Sequence, residues 1–178
     1  MQKQNKKMIE ENSNIDILTD IDDERWLELH TYDEWPLIIH EIITKVMNHL
    51  EISAKLEISI LLTNDKEIAI LNKNYRNKDK PTNVLSFPNL SLEEIQNLHK
   101  QSPYPIMLGD IALAFETVLS EAKIENKLFL HHFYHLVVHG TLHLLGYDHE
   151  KDVDAERMQE KEIAILKTLN VTDPYQPL

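Results

Sequence analysis

The sequence predicts a single α+β domain in which a small sheet is covered by helices. Three observations carry this. The first half alternates strand-like and helix-like apolar patterns, the last third is helical almost throughout, and 178 residues suffice for one core without staples. Residues 1–14 are polar and read as a flexible N-terminus, leaving residues 15–178 as the domain.

Asn14 to Thr19 (NIDILT) alternates polar and apolar residues as a half-buried strand does. From Glu34 to Leu50 the apolar residues Leu37, Ile38, Ile42, Val46 and Leu50 recur at helical spacing, with the helix starting near Tyr32 to Pro36. Leu56 to Thr63 (LEISILLT) is strand-like again. Asn64 and Asp65, with Glu67 close behind, then start a helix over Asp65 to Tyr75. Asn83 to Phe87 is a short strand between Pro81 and Pro88, and Met107 to Phe115 is a longer one with Gly109 near its beginning. Between them, Asn89 to Pro105 reads as a surface excursion with a short helix of its own. Helices follow near Thr117 to Ile124, through Lys127 to Leu145 and from Asp152 to Leu169, so about five to six cover the sheet.

The absence of cysteine excludes disulfides, thiolate nucleophiles and Cys-held metals, so any metal must be held by His or carboxylates. No apolar run is long enough to span a bilayer and the N-terminus has no apolar signal region, so a cytoplasmic protein with no membrane partner is expected. A formal charge of −12, from 18 basic and 30 acidic residues, argues against a surface that grips nucleic acid everywhere, and DNA is not expected as a partner. Charge is local, however: Lys73, Arg76, Lys78 and Lys80 stand against the single acid Asp79, a small basic lip on an acidic body.

The chemistry concentrates where the long helix ends, in His139-Gly140-Thr141-Leu142-His143-Leu144-Leu145-Gly146-Tyr147-Asp148-His149. His139 and His143 are four apart, so on a helix both imidazoles lie on one face and can meet one ion. Gly146 can take the left-handed conformation that ends a helix and swing His149 round as a third ligand. Three neutral imidazoles leave a tetrahedral zinc with one position for water, the arrangement of catalytic zinc, and such an ion lowers the pKa of that water to about 7. Hydrolysis is the reaction class this favours. His135 lies four before His139 and reads as a packed or outer-sphere residue, with His132 beside it; His30, His40, His49 and His99 have no metal spacing. The same residues fit the H-x₃-H-x₂-G-x₂-H skeleton of zinc metallopeptidases, but the glutamate those enzymes need after the first histidine is here Gly140. For proton transfer Asp110, Asp148 and Glu150 all stay open, with Asp148 better suited to orienting a ligand.

The run HGTLHLLGYDH resembles the signature of the YbeY family, endoribonucleases of ribosomal-RNA maturation. Asn74 to Pro88 (NYRNKDKPTNVLSFP) is similar to that family's YR-x-x-DKPT-[DN]-VLSFP block, and Leu108-Gly109-Asp110-Ile111 to its LGDI strand. The resemblance implies a mixed four-stranded sheet, one zinc ion per chain held by His139, His143 and His149, and Arg76 and His139 as catalytic residues. It further implies cutting of single-stranded RNA, maturation of the 3′ end of small-subunit ribosomal RNA, and ribosome quality control alongside a small-subunit protein and a ribosome-assembly GTPase. Arg76 suits such a site on chemical grounds, because a guanidinium holds a phosphate in bidentate fashion. The other readings left by the residues are a metallohydrolase of another substrate class and a non-catalytic RNA-binding zinc protein.

Overall fold

In the computed structural model, which describes residues 14–100, 103–149 and 151–176, the strand-like runs assemble into one mixed sheet. β1 (Ile15–Ile21), β2 (Leu56–Thr63), β3 (Val84–Pro88) and β4 (Ile106–Ala114) lie in the order β1-β2-β4-β3. β1 pairs with β2 and β2 with β4 in parallel, while β3 runs antiparallel to β4. A parallel neighbour needs a crossover, and α1 (Glu34–His49) supplies the one between β1 and β2. The other helices are α2 (Asp65–Arg76), the short α3 (Leu92–Gln96), α4 (Phe115–Ile124), α5 (Phe129–Leu144) and α6 (Asp152–Thr168). Every expected element is present within about two residues of its expected ends. Residues 1–13, most of the expected flexible N-terminus, lie outside the described residues.

Alternation along the strands separates two faces. Ile58, Ile60 and Leu62 of β2 and Ile111 and Leu113 of β4 enter the main core under α1, α5 and α6. Leu61, Ala112 and Ala114 point the other way, onto Ile68 and Leu71 of α2. α2 covers only part of that second face. The rest is an open groove of about 690 Å³ whose lining includes Leu18, Ser59, Tyr75, Phe87 and Asp110.

One expectation needs correction. The buried stripe of α1 is Trp35, Ile39, Ile42, Ile43, Val46 and Met47, whereas Leu37 is 43% exposed and Ile38 and Leu50 are half-buried. Trp35 decides this register, because it packs edge-on against Trp26, in a 3-10 turn (Glu24–Glu28) that the apolar pattern did not reveal. Trp26 is wholly buried, donates its indole N–H to Thr63 O at 2.9 Å, and meets Phe129 and Phe133 of α5 at 5.8 and 5.7 Å. This aromatic cluster fixes the N-terminal half of the helix whose other end carries the histidines.

Candidate metal centre and basic lip

α5 is buried along Phe133, Val137, Val138, Leu142 and Leu144, so its remaining face must carry His135, His139 and His143. The helix lies close on the sheet because Gly140 has no side chain: a Cβ there would stand 3.0 Å from Ser86 Oγ and 3.2 Å from Ile111. The glutamate of the metallopeptidase pattern would crowd Ser86 and Ile111 at its Cβ alone. At the C-terminal end Gly146 adopts φ +80°, as its sequence context predicts, with its N–H on His143 O and the N–H of Tyr147 on Leu142 O, both at 3.0 Å. The returning chain presents Tyr147 O to His143 and brings His149 round to the other two histidines.

The three imidazoles meet as expected: each offers a ring nitrogen within 4.8 Å of the others, and the ring centroids lie 4.5 to 5.5 Å apart. The outer nitrogens fix the tautomers. His143 Nδ1 is 2.9 Å from the Tyr147 carbonyl, an acceptor only, and His139 Nδ1 is 2.7 Å from Glu162 Oε1. Each Nδ1 therefore carries the proton, and the two bare Nε2 atoms face each other at 3.1 Å. Two lone pairs so placed repel unless a cation lies between them, and two nitrogens on one tetrahedral zinc stand about 3.3 Å apart. The residues present fit a divalent ion.

Electrostatics agree with this. Burial, reinforced by His139 and His149 as neighbouring positive charges, pushes the His143 pKa down to about 4, so the imidazole stays neutral and able to ligate. Glu162 is wholly buried, yet its carboxyl is held at about 2: burial raises it, and hydrogen bonds from His135 and His139 outweigh that. Among the described residues no Lys or Arg pairs with it, so a divalent ion beyond His139 would balance its charge.

The other candidates separate cleanly. His135 Nε2 lies 3.4 Å from Glu162 Oε2, behind His139, and buried His132 pairs with Glu121 at 2.8 Å. His135, His139 and Glu162 also converge within 4.8 Å, but there Glu162 accepts from His139 Nδ1 at 2.7 Å and stands 3.4 Å from His135 Nε2. Asp148 accepts the backbone N–H of His149 at 2.7 Å and so orients the loop. Asp110 is exposed on the opposite face of the sheet, in the groove, which removes it from the proton-transfer candidates. Glu150 lies outside the described residues. Arg76, at the end of α2, donates Nη2–H to Ser86 O at 3.2 Å, and Ser86 Oγ donates to Gly140 O at 3.1 Å. Two hydrogen bonds thus connect the lip to the residue after His139.

Glu162 is the site residue that sequence reasoning missed. A signal existed: Met158, Glu162, Ile165 and Leu166 share the buried stripe of α6, where Glu162 is the lone acid.

The family model described as Endoribonuclease YbeY matches residues 19–170. The chain belongs to the YbeY family. A relative named Endoribonuclease YbeY from Bradyrhizobium diazoefficiens is 53% identical over 122 residues, 68% of this chain and 65% of that one. Another YbeY relative, from Bartonella quintana, is 47% identical over 142 residues, 79% of this chain and 86% of that one. The matched stretch thus spans just under two thirds of the first relative's length and most of the second's. The solution structure of TM1509 from Thermotoga maritima is similar in fold, with a TM-score of 0.53 and 25% identity, covering 91% of this chain and 99% of that one. No helix among the described residues is long and apolar enough to cross a membrane.

Proposed function

We propose that this protein is a metal-dependent endoribonuclease of ribosomal-RNA processing, that its ion is zinc, and that His139, His143 and His149 hold it. The observation that carries the reading is the pair of Nε2 atoms 3.1 Å apart with both Nδ1 atoms already committed. Names of the relatives support RNA as the substrate class. When bound, the ion supplies Lewis-acid polarisation of a phosphoryl oxygen.

The chain's own residues do the rest. Glu162 keeps the proton of His139 on Nδ1, and Tyr147 O does the same for His143, so both Nε2 atoms stay available. Arg76 grips the phosphate from the lip and stabilises charge developing on its oxygens, in the catalytic role first expected for it. His139 serves catalysis as a ligand. RNA brings its own nucleophile in the 2′-hydroxyl. Single-stranded RNA is the preferred form, with the 3′ end of small-subunit ribosomal RNA as target in the cytoplasm, and a small-subunit protein and a GTPase as partners. Gly140 disfavours peptide hydrolysis, because the position next to His139 holds no carboxylate and even a Cβ there would crowd Ser86 and Ile111.

The test is cleavage of one labelled RNA, single-stranded and annealed to its complement, by wild-type protein before and after chelation. Cutting of the single strand alone, abolished by chelation and restored by zinc, is expected. Cutting that survives chelation would overturn the metal dependence, and equal cutting of the duplex would overturn the strand preference.

A further inference from the structure

After α6 the chain returns across the start of α5. Val171 is buried, Lys127 Nζ donates to Pro174 O at 2.6 Å, and the Tyr175 N–H donates to Asp173 Oδ1 at 2.9 Å. These contacts set the Tyr175 ring edge-on against His135, with centroids 5.4 Å apart at 81°. Its hydroxyl then donates to Glu162 Oε2 and lies 3.3 Å from His135 Nε2. The other oxygen of the same carboxylate, Oε1, accepts from His139 Nδ1 at 2.7 Å. One buried carboxylate thus joins a residue of the C-terminal segment to a metal-ligand candidate.

A carboxylate orients an imidazole only as well as it is itself held. Turning Glu162 about its terminal bond moves Oε1 off His139 and Oε2 off Tyr175 together, so the tyrosine O–H resists that rotation. His135 alone, at 3.4 Å, is a longer and weaker restraint. Partial burial of Tyr175, which is 42% exposed, and the contact with Glu162 both hold its hydroxyl above its ordinary pKa, so it remains a donor.

We propose that Tyr175 is a positioning residue of the metal centre: it locks Glu162, which fixes His139, so that retention of the ion depends on the C-terminal segment. This rests on the reading of His139 as a ligand.

Tyr175→Phe keeps the ring against His135 and removes the hydroxyl alone. Full-length wild type and variant are loaded with zinc, its transfer to a chromophoric chelator is timed, and the melting temperature of each metal-free protein is measured. The variant should release zinc about tenfold faster, at the lower end of what outer-shell partners contribute, while the single hydrogen bond it loses should lower the metal-free melting temperature by only a few degrees. Glu162→Gln should release it faster still, and the double variant should resemble Glu162→Gln, because Tyr175 acts through Glu162. Equal release rates for wild type and Tyr175→Phe would overturn the proposal. So would full additivity in the double variant, or a lowered metal-free melting temperature with unaltered release. A wild type that takes up no zinc would overturn the ligand assignment itself, a failure visible before any variant is compared.

Discussion

At the histidine cup, His139 and His143 each have a committed Nδ1 and back onto a wholly buried carboxylate or a loop carbonyl, whereas at the lip Lys73, Arg76, Lys78 and Lys80 are all exposed. Arg76 is tethered there by a hydrogen bond to Ser86 O, and Lys73 is paired with Asp79 at 2.8 Å across the surface. The two constructions suit two tasks. Holding an ion about 2 Å from several atoms needs ligands fixed before it arrives, and burial with satisfied partners fixes them. Gripping a flexible polyanion needs charge within reach, and exposed cations supply it with little stake in the fold. Ser86 is the seam, its carbonyl taken by Arg76 and its hydroxyl given to Gly140.

Three perturbations sharpen that contrast. The largest effect belongs to His143→Ala, which removes one of two facing Nε2 atoms and should cost more than the tenfold to about hundredfold loss in affinity typical of an outer partner. Elemental analysis should find no stoichiometric zinc, and undiminished metal would remove His143 from the ligands. Next comes Gly140→Ala at the seam. Its Cβ would crowd Ser86 Oγ at 3.0 Å and Ile111 at 3.2 Å, a cost of about 1–3 kcal/mol against the roughly 1 kcal/mol that alanine gains over glycine inside a helix, so a net loss of stability is expected in urea unfolding. A variant more stable than wild type would mean that Ser86 and Ile111 yield freely, contrary to a rigid cup.

The third perturbation is pH. His143 titrates near 4 in the folded protein against 6.5 as its ordinary value, so between those values the unfolded chain binds more protons. The stability of the metal-free protein should be intact above pH 6.5 and fall as pH drops toward 4. Glu162, about 2 against 4.5, extends the loss below pH 4.5 in the same direction. Thermal melts of metal-free protein across this range check the sign; a metal-free protein that gains stability from pH 6.5 to 4 would contradict the buried neutral imidazole.

How much of this could be read in advance follows from what determines each feature. The facing of His139 and His143 is local helix geometry and Gly146 is local turn chemistry, so the cup was visible in eleven residues. The strands were visible too, because their apolar alternation is a period of two. Trp26 is not, since a five-residue 3-10 turn has no period to detect, and without it the apolar spacing of α1 points to Leu37 rather than Trp35. Asp110 stayed ambiguous until the sheet register put it on the far face. Glu162 and Tyr175 meet the histidines only through the packing of α6 on α5 and the return of the chain, contacts that no local pattern encodes.

The separation of cup from lip is tested most directly by Arg76→Ala, with zinc content, melting temperature and cleavage of single-stranded RNA measured on one preparation. Zinc at one per chain, stability within about 0.5 kcal/mol of wild type and cleavage lowered about hundredfold are expected. Unaltered cleavage would contradict the role of Arg76, and loss of zinc would contradict the independence of the two regions.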